Sequence, residues 1–259
     1  MKVKSALLGL AAASGGLLMS ANVASADGYS APARYDAAPT WTGCYIGIAG
    51  GWAWGHSKAE AQNPINTTAT PVTVTTTTFA SYNLDGGLIG GTAGCNLQSS
   101  GGFVLGVESD TSWTNKSGSG RDNPAVGITR NTTEEQWLAT TRLRLGHAFG
   151  NFLIYGTAGA AFAEVKYTAF ADPAAGGIGT ESQTKWRVGL AYGGGAEWKF
   201  DRNWSAKIEY LHIDFENQQY FTPSRIGFQN RGGGVSVDDD IVRVGINYKF
   251  DRREVVPLK

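Results

Sequence analysis

The sequence has no long apolar run beyond its N-terminal segment. No later stretch approaches the ~18 consecutive apolar residues that a membrane-spanning helix requires, so we expect no such helix. The sequence also has no excess of one charge, because 22 Lys and Arg residues balance 22 Asp and Glu residues. A chain without net charge has no electrostatic preference for polyanions, and we therefore expect no nucleic-acid partner.

Histidine is also rare, and its positions argue against a metal or catalytic site. His56, His147 and His212 lie far apart, and no spacing typical of metal ligands joins them. No sequence pattern ties a serine nucleophile to any of them. We therefore expect no metal site, no cofactor and no enzymatic activity.

The N-terminus has the composition of an export signal. Lys2 and Lys4 precede an apolar run, and Ala24-Ser25-Ala26 forms a cleavage site of small residues. We predict that residues 1–26 are a signal peptide. Residues 27–40 are rich in Ala and Pro, and we predict that they form an extended periplasmic lead-in.

From Trp41 onward, apolar and polar residues alternate with a period of two, which is typical of β-strands with two different faces. Each alternating segment reaches about the 9–11 residues that a tilted strand needs to cross a bilayer. Eight strands are predicted, at Tyr45–His56, Leu84–Leu97, Phe103–Trp113, Glu135–Phe149, Phe152–Tyr167, Lys185–Phe200, Trp204–Phe215 and Ile241–Phe250.

The predicted connections alternate between short and long. Short ones are Gln98–Gly102, Gly150–Asn151 and Asp201–Asn203; long ones are Ser57–Asn83, Thr114–Glu134, Thr168–Thr184 and Glu216–Asp240. This alternation is typical of outer-membrane barrels, whose turns are periplasmic and whose loops are extracellular. We therefore predict an all-β fold, an eight-stranded antiparallel transmembrane β-barrel over residues 41–250. A periplasmic tail at residues 251–259 follows it.

The two faces of the predicted strands differ in chemistry, most clearly in the sixth strand. Trp186, Val188 and Leu190 fall on one face, and charged residues with glycines fall on the other. Periodicity alone does not exclude a water-soluble barrel with the apolar face inside. However, glycines beside long charged side chains suit a narrow lumen, and aromatic residues end the apolar face at both edges, as in the headgroup girdles of a membrane barrel.

Charged residues of both signs are predicted to face the lumen. Two interpretations are open: a charged constriction that selects solutes, or a neutralised network that fills the barrel. We favour the second, because an eight-stranded barrel is only wide enough for side chains to fill. The predicted lumen residues are Glu108, Asp110, Arg142, Arg144, Arg187, Glu197, Lys207, Glu209 and Arg243.

The two cysteines lie at corresponding ends of the first two strands. Cys44 is at the start of the first strand and Cys95 is near the end of the second. In an antiparallel hairpin both would lie near the periplasmic rim, and a pair of cysteines in an exported chain is more often a disulfide than two free thiols. A cross-strand disulfide is therefore predicted.

Four segments together resemble a known family: Trp41 to Gly47, Leu143-Arg144-Leu145-Gly146, Asn203 to Leu211 and Val242 to Phe250. They are similar to the small outer-membrane β-barrel proteins of alphaproteobacteria, often called porin-family or outer-membrane immunogenic proteins. The resemblance implies an eight-stranded barrel similar to the OmpA membrane domain, on the cell surface. It also implies that the aromatic ending at Tyr248 and Phe250 is the signal read by the outer-membrane assembly machinery.

Two departures from the family pattern are visible. An aromatic residue is common where Cys44 stands, and members commonly end at the terminal Phe, whereas residues 251–259 follow Phe250 here. The expected function is a structural and surface-exposed interaction role in the outer membrane, and the alternative is a narrow porin-like channel for ions or small solutes. The expected partners are outer-membrane lipids, the assembly machinery, and surface or peptidoglycan contacts.

Overall fold

The computed structural model describes residues 40–66, 73–121, 129–171, 179–220 and 233–250. The predicted signal peptide, all of the lead-in except Thr40, and the predicted tail lie outside these residues. The eight strands are β1 Gly43–Asn66, β2 Thr73–Gln98, β3 Phe103–Arg121, β4 Thr129–Phe149, β5 Phe152–Ala171, β6 Thr180–Lys199, β7 Trp204–Tyr220 and β8 Gly233–Lys249. In the described part of the chain, no helix has the length and apolarity to cross a membrane.

The strands form a closed antiparallel barrel in sequence order, as predicted. Each strand pairs with the next, and β8 returns to β1, where Ile48 lies opposite Ile246. At the periplasmic half of the described strands every strand is paired on both sides, which is the condition for a sheet to lie in hydrocarbon. Tight turns join β2 to β3, β4 to β5 and β6 to β7, and Gly150 supports the second of these with a positive φ of 63°.

The strands extend well beyond the predicted boundaries at the other end of the barrel. β1 continues to Asn66 instead of ending at His56, and β2 begins at Thr73 instead of Leu84. The predicted long connections are therefore partly wrong, since most of their residues are in strands. Outward polar residues are typical of loops. They are equally compatible with antiparallel strands where water surrounds the barrel.

A band of apolar side chains covers the outside of the barrel. Its outer border carries Trp113, Trp137 and Trp186, which are 52%, 45% and 65% exposed. Its inner border carries Phe149, Trp198, Trp204 and Phe250, all exposed as well. We call this surface the apolar band. A barrel dissolved in water would bury these side chains, so their exposure decides the question that periodicity left open.

Glycines make room for large side chains inside the barrel, as the sequence predicted. A β-carbon on Gly94 would lie 2.5 Å from Tyr45 Oη, and one on Gly195 would lie 2.7 Å from Tyr155 Oη. Both distances are too short for real contacts. The two glycines therefore allow two tyrosines to reach the middle of the lumen.

The interior changes from charged to apolar along the barrel axis. Within the apolar band, inward side chains include many charged groups. Beyond the outer border of the band, inward positions hold a buried apolar cluster that includes Tyr82, Leu138, Val165, Ile213 and Phe215. Beyond this border the outward face of the strands is polar and the inward face is apolar, which reverses the arrangement within the band.

Candidate functional site

The interior at the level of the apolar band is filled by four carboxylates and four cations. Each is almost completely buried, and their formal charges sum to zero (4 − 4 = 0). We call them the lumen network. Its members are Glu108, Asp110, Glu197 and Glu209 with Arg142, Arg144, Lys207 and Arg243.

Glu108 on β3 lies at the centre of the lumen network. It accepts hydrogen bonds from Lys207 Nζ at 2.8 and 2.9 Å and from Arg142 Nη2 at 2.9 Å. Tyr45 Oη donates a further bond of 2.8 Å to Glu108 Oε2, and Arg144 Nη1 lies 3.4 Å from the same oxygen. Glu108 thus joins groups from three other strands, because closure of the barrel brings their inward faces together.

Asp110 and Glu209 are linked through two arginines. Arg243 holds Asp110 in a two-pronged contact, with Nη1–Oδ1 and Nη2–Oδ2 distances of 2.9 and 3.0 Å. Arg243 Nε also donates to Glu209 Oε2 at 2.7 Å, and Arg142 bonds both carboxylates. Thr140 Oγ1 completes the shell of Asp110 at 2.6 Å. Such planar, multidentate pairing is the arrangement that makes buried charge tolerable.

Glu197 anchors the part of the network nearest the periplasmic end. Arg144 Nη2 donates to it at 2.7 Å, while Ser205 Oγ and Asn247 Nδ2 donate at 2.6 and 2.8 Å. The Arg144 guanidinium also lies over the Tyr155 ring, 3.8 Å from its centroid. The ring shields the guanidinium from water, and the ring face and Glu197 compensate its positive charge.

Arg187, the ninth predicted lumen residue, occupies a different level of the barrel. It is fully buried and faces inward, but it lies on β6 opposite Ala163, ten positions from Glu197 along the strand. The strand alternation identified its face correctly. Its distance from Glu197 follows from their positions on one strand, whereas its distance from the members on other strands depends on the register between strands, which the alternation does not contain.

Trp41 closes the periplasmic mouth of the barrel. It is 3% exposed and packs in a small cluster with Val104, Leu153 and Tyr155. Its indole Nε1 donates to the Gly150 carbonyl at 3.2 Å. Because Trp41 follows the lead-in directly, the entering chain itself supplies the plug.

The Trp41 plug is held by the ends of two strands. The Lys199 ammonium lies 4.2 Å from the centroid of the Trp41 ring and donates to the Thr40 carbonyl. Lys249 Nζ donates to the same carbonyl at 3.0 Å. The backbone at the barrel entrance is therefore bound as firmly as the indole ring.

A buried triad of charges beyond the outer border of the apolar band was missed by sequence reasoning. Lys116 Nζ lies 2.9 Å from Glu135 Oε2 and also contacts Asp239. All three side chains are within the barrel and inaccessible to solvent. Lys116 and Asp239 were predicted to lie in long connections, and no sequence signal indicated that either would meet Glu135.

The triad holds two carboxylates against a single ammonium group. Burial raises the pKa of Glu135 to about 7; Lys116 opposes the increase, and the negative charge of Asp239 adds to it. Glu135 is therefore a group that gains or loses a proton near neutral pH within a closed interior.

Two histidines form hydrogen bonds on the outer surface of the extended strands. His56 Nε2 lies 2.8 Å from Ser81 Oγ, and its Nδ1 lies 2.8 Å from Asn83 Oδ1. His212 Nδ1 lies 2.9 Å from Asp240 Oδ1. The first cluster was not predicted, because Ser81 and Asn83 were assigned to a loop. In the parts of the chain that the structure describes, no group of three or more His, Cys, Asp or Glu residues could hold a metal ion.

The predicted disulfide is present between Cys44 and Cys95, with an S–S distance of 2.09 Å. The two residues are directly opposite each other on β1 and β2. Both side chains face outward, so the bond lies on the outer surface of the barrel near the periplasmic end. Tyr248 and Phe250 are also exposed there, with ring centroids 5.6 Å apart.

Comparisons with known proteins agree with this architecture. The family described as "outer membrane protein beta-barrel domain" matches residues 9–250 of the chain. The 31 kDa outer-membrane immunogenic protein of Brucella melitensis is 33% identical over 233 residues, which cover 85% of this chain and 90% of that protein. The 22 kDa outer membrane protein of Rhizobium leguminosarum is 28% identical over 213 residues, covering 82% and 80%.

Among solved structures, the outer membrane protease OmpT of Escherichia coli aligns with a TM-score of 0.50. The alignment covers 82% of this chain and 98% of that one, at 12% identity. At this identity the likeness concerns the fold alone.

Proposed function

The chain belongs to the outer-membrane β-barrel family and is an outer-membrane protein, and from this we propose that it is a closed, non-conducting anchor that presents its extracellular end for interaction. The role is structural and does not involve catalysis or solute transport. The observation that carries the proposal is the filling of the interior at three successive levels.

Each level supports a closed barrel in a different way. Trp41 seals the periplasmic mouth, the lumen network occupies the level of the apolar band, and the apolar cluster fills the outer half. A pore needs polar groups that remain hydrated, whereas the charged groups here bond one another. A porin-like channel is therefore the less favoured function.

The extracellular end supports an interaction role. β1 and β2 extend well past Trp54, and their paired ladder continues to Asn66 and Thr73. Strands filled by an apolar core form a stalk that rises beyond the apolar band. The chemistry of these segments is generic and polar, so we assign a surface role without a specific receptor.

The proposed partners follow from the two ends of the barrel and its outer surface. Lipids of the outer membrane contact the apolar band, and the exposed aromatic ending at Tyr248 and Phe250 serves the assembly machinery. The extracellular end is available for surface contacts, and the periplasmic end is available for contacts with peptidoglycan. None of these partners requires an opening through the lumen.

Conductance across planar lipid bilayers tests the closed state. We expect the purified protein to give no steady, reproducible current steps under conditions in which a known porin conducts. The unmodified protein is compared with a triple variant, Trp41→Ala, Tyr45→Ala and Tyr155→Ala. This variant removes bulky side chains from the mouth and the lumen and keeps the eight charged residues of the lumen network. Uniform openings in the unmodified protein would contradict the proposal, whether or not the variant conducts.

The absence of catalysis is tested at the hydrogen bond between Ser81 and His56. A serine activated by a histidine reacts with fluorophosphonates, and Asn83 lies where an orienting residue would. We expect no labelling of the folded protein beyond that of a Ser81→Ala variant. Labelling that disappears in Ser81→Ala and in His56→Ala would overturn the non-catalytic role.

A further inference from the structure

The disulfide lies on the outward face of the barrel near its periplasmic end, where both cysteines are exposed. The outward positions around it are apolar: Ile46 is 52% exposed, Leu97 is 68% exposed and Val107 is 42% exposed. Leu97 lies on the periplasmic side of Cys95, so the apolar band continues past the bond.

The backbone around Cys44 belongs to the seam that closes the barrel. The Cys44 carbonyl accepts a hydrogen bond of 2.9 Å from the amide of Phe250, which follows β8. Apolar outward side chains therefore surround the sulfur atoms on the outer surface, and the wall of the barrel covers them from inside. A bilayer whose hydrocarbon reaches this level would exclude water-soluble reagents from the bond.

Thiol–disulfide exchange needs water at the reacting sulfur. The attacking species is a thiolate, and a thiolate is strongly disfavoured in an apolar environment. The disulfide of the oxidant must also approach in line with the attacking thiolate, which a bilayer prevents. Both conditions hold in the periplasm before insertion and fail after it.

We propose that Cys44 and Cys95 are oxidised by exchange with a periplasmic disulfide-carrying oxidant before the barrel inserts, and that insertion then seals the bond under lipid. One cysteine thiolate attacks the disulfide of the oxidant, which releases one thiolate of the oxidant and leaves a mixed disulfide. The second cysteine displaces the oxidant. The protein loses two electrons and two protons, and the oxidant leaves as a dithiol.

This order also has a consequence for assembly. The bond joins directly opposite residues, so it sets the register of β1 against β2 before β8 reaches β1. A slip by one residue would turn every side chain of the hairpin to the wrong face. The disulfide therefore acts on the hairpin that starts the barrel, at the stage when register errors are still possible.

Reactivity before and after insertion tests the proposal. The full chain is reduced in urea and is either kept there or folded into phosphatidylcholine vesicles, with insertion checked by heat-sensitive gel mobility. Oxidised glutathione is then added, and free thiols are counted with a maleimide polymer. We expect oxidation of the inserted chain to be slower than that of the unfolded chain by at least about tenfold.

A second arm does not depend on folding of the reduced chain. The oxidised protein is inserted, and reduction by a charged phosphine is compared with reduction in urea; the same slowing is expected. The accessibility control is Ser100→Cys in a Cys44→Ser, Cys95→Ser background, which puts a single thiol for labelling by the maleimide polymer on the exposed turn after β2. We use only vesicle preparations in which the thiol of this control reacts fully with the maleimide polymer. Equal reduction rates for inserted and unfolded protein would overturn the proposal.

Discussion

Lys116 and Glu135 form an ion pair of 2.9 Å inside the extracellular half of the barrel, where neither side chain contacts solvent. Asp239 contacts the same ammonium group from β8. One positive charge therefore faces two carboxylates, and the second carboxylate cannot be fully compensated. The pair links two neighbouring strands to a third across the interior, and we expect it to make this half of the barrel sensitive to pH.

Stability should decrease as pH rises through neutrality. The pKa of Glu135 is about 7 in the folded protein, above the ordinary value for Glu, mainly because the residue is buried. A raised folded pKa gives stability that is fully present below the ordinary pKa and is lost as pH rises through about 7. We expect a loss on the order of 1–3 kcal/mol between pH 5 and pH 8, measured by urea unfolding in lipid vesicles.

Two variants separate this effect from general pH dependence. Glu135→Gln removes the titrating group and should flatten the profile over the same interval. Glu134→Gln changes the neighbouring residue, which faces outward and pairs with Lys166 on the surface. The idea fails if both variants keep the slope of the unmodified protein.

Removing one member of the lumen network should be costly. Arg142 bonds Glu108, Asp110 and Glu209, so Arg142→Ala leaves three buried carboxylates with fewer partners. We expect a loss of about 3–5 kcal/mol in the free energy of unfolding, as for other broken buried ion pairs. Arg121→Ala, at an exposed position on β3, is the control and should change stability by less than about 0.5 kcal/mol. A similar small value for both would show that the network adds nothing.

The plug at the periplasmic mouth should contribute through its ring more than through its hydrogen bond. Trp41→Ala removes the buried indole and should cost about 3 kcal/mol or more. Trp41→Phe keeps a ring but loses the bond to the Gly150 carbonyl, and should cost about 1 kcal/mol. Urea titration of both variants in vesicles gives the comparison, and equal costs would contradict it.

The aromatic ending of β8 should matter for assembly and not for the stability of the finished barrel. Phe250→Ala removes an exposed ring at the periplasmic border, where the buried interior is not involved. We expect severalfold less protein in the outer membrane of cells, together with unchanged spontaneous folding in detergent. Val244→Ala changes the same face of the same strand and should insert normally. Normal insertion of Phe250→Ala would remove the assembly role.

Several features could be predicted from sequence because they depend on local alternation. Trp186, Val188 and Leu190 alternate with charged and small residues, and this period determines which side chains share a face wherever the backbone is extended. The strand number, the short turns, the outward girdles and the pairing of Cys44 with Cys95 follow from the same local pattern.

Other features could not be predicted, because they depend on where different strands meet. Lys116 and Asp239 lie in segments that the sequence predicted as long connections, and only the extended strands and their register around the closed barrel bring them to the level of Glu135. The same register decides which side chains of other strands lie at the level of Arg187, whereas its distance of ten positions from Glu197 on the same strand follows from the sequence.

The sequence by itself determined an exported chain of eight two-faced strands with one cross-strand disulfide, since a period of two residues encodes sidedness directly. Tertiary structure alone decided how far the strands extend beyond the apolar band and which side chains fill the interior of the barrel. Beyond the lipid the outward face turns polar and the inward face apolar, as with Asp214 and Phe215. The alternation looks the same on both sides of that border, because a pattern of faces does not record which solvent surrounds the barrel.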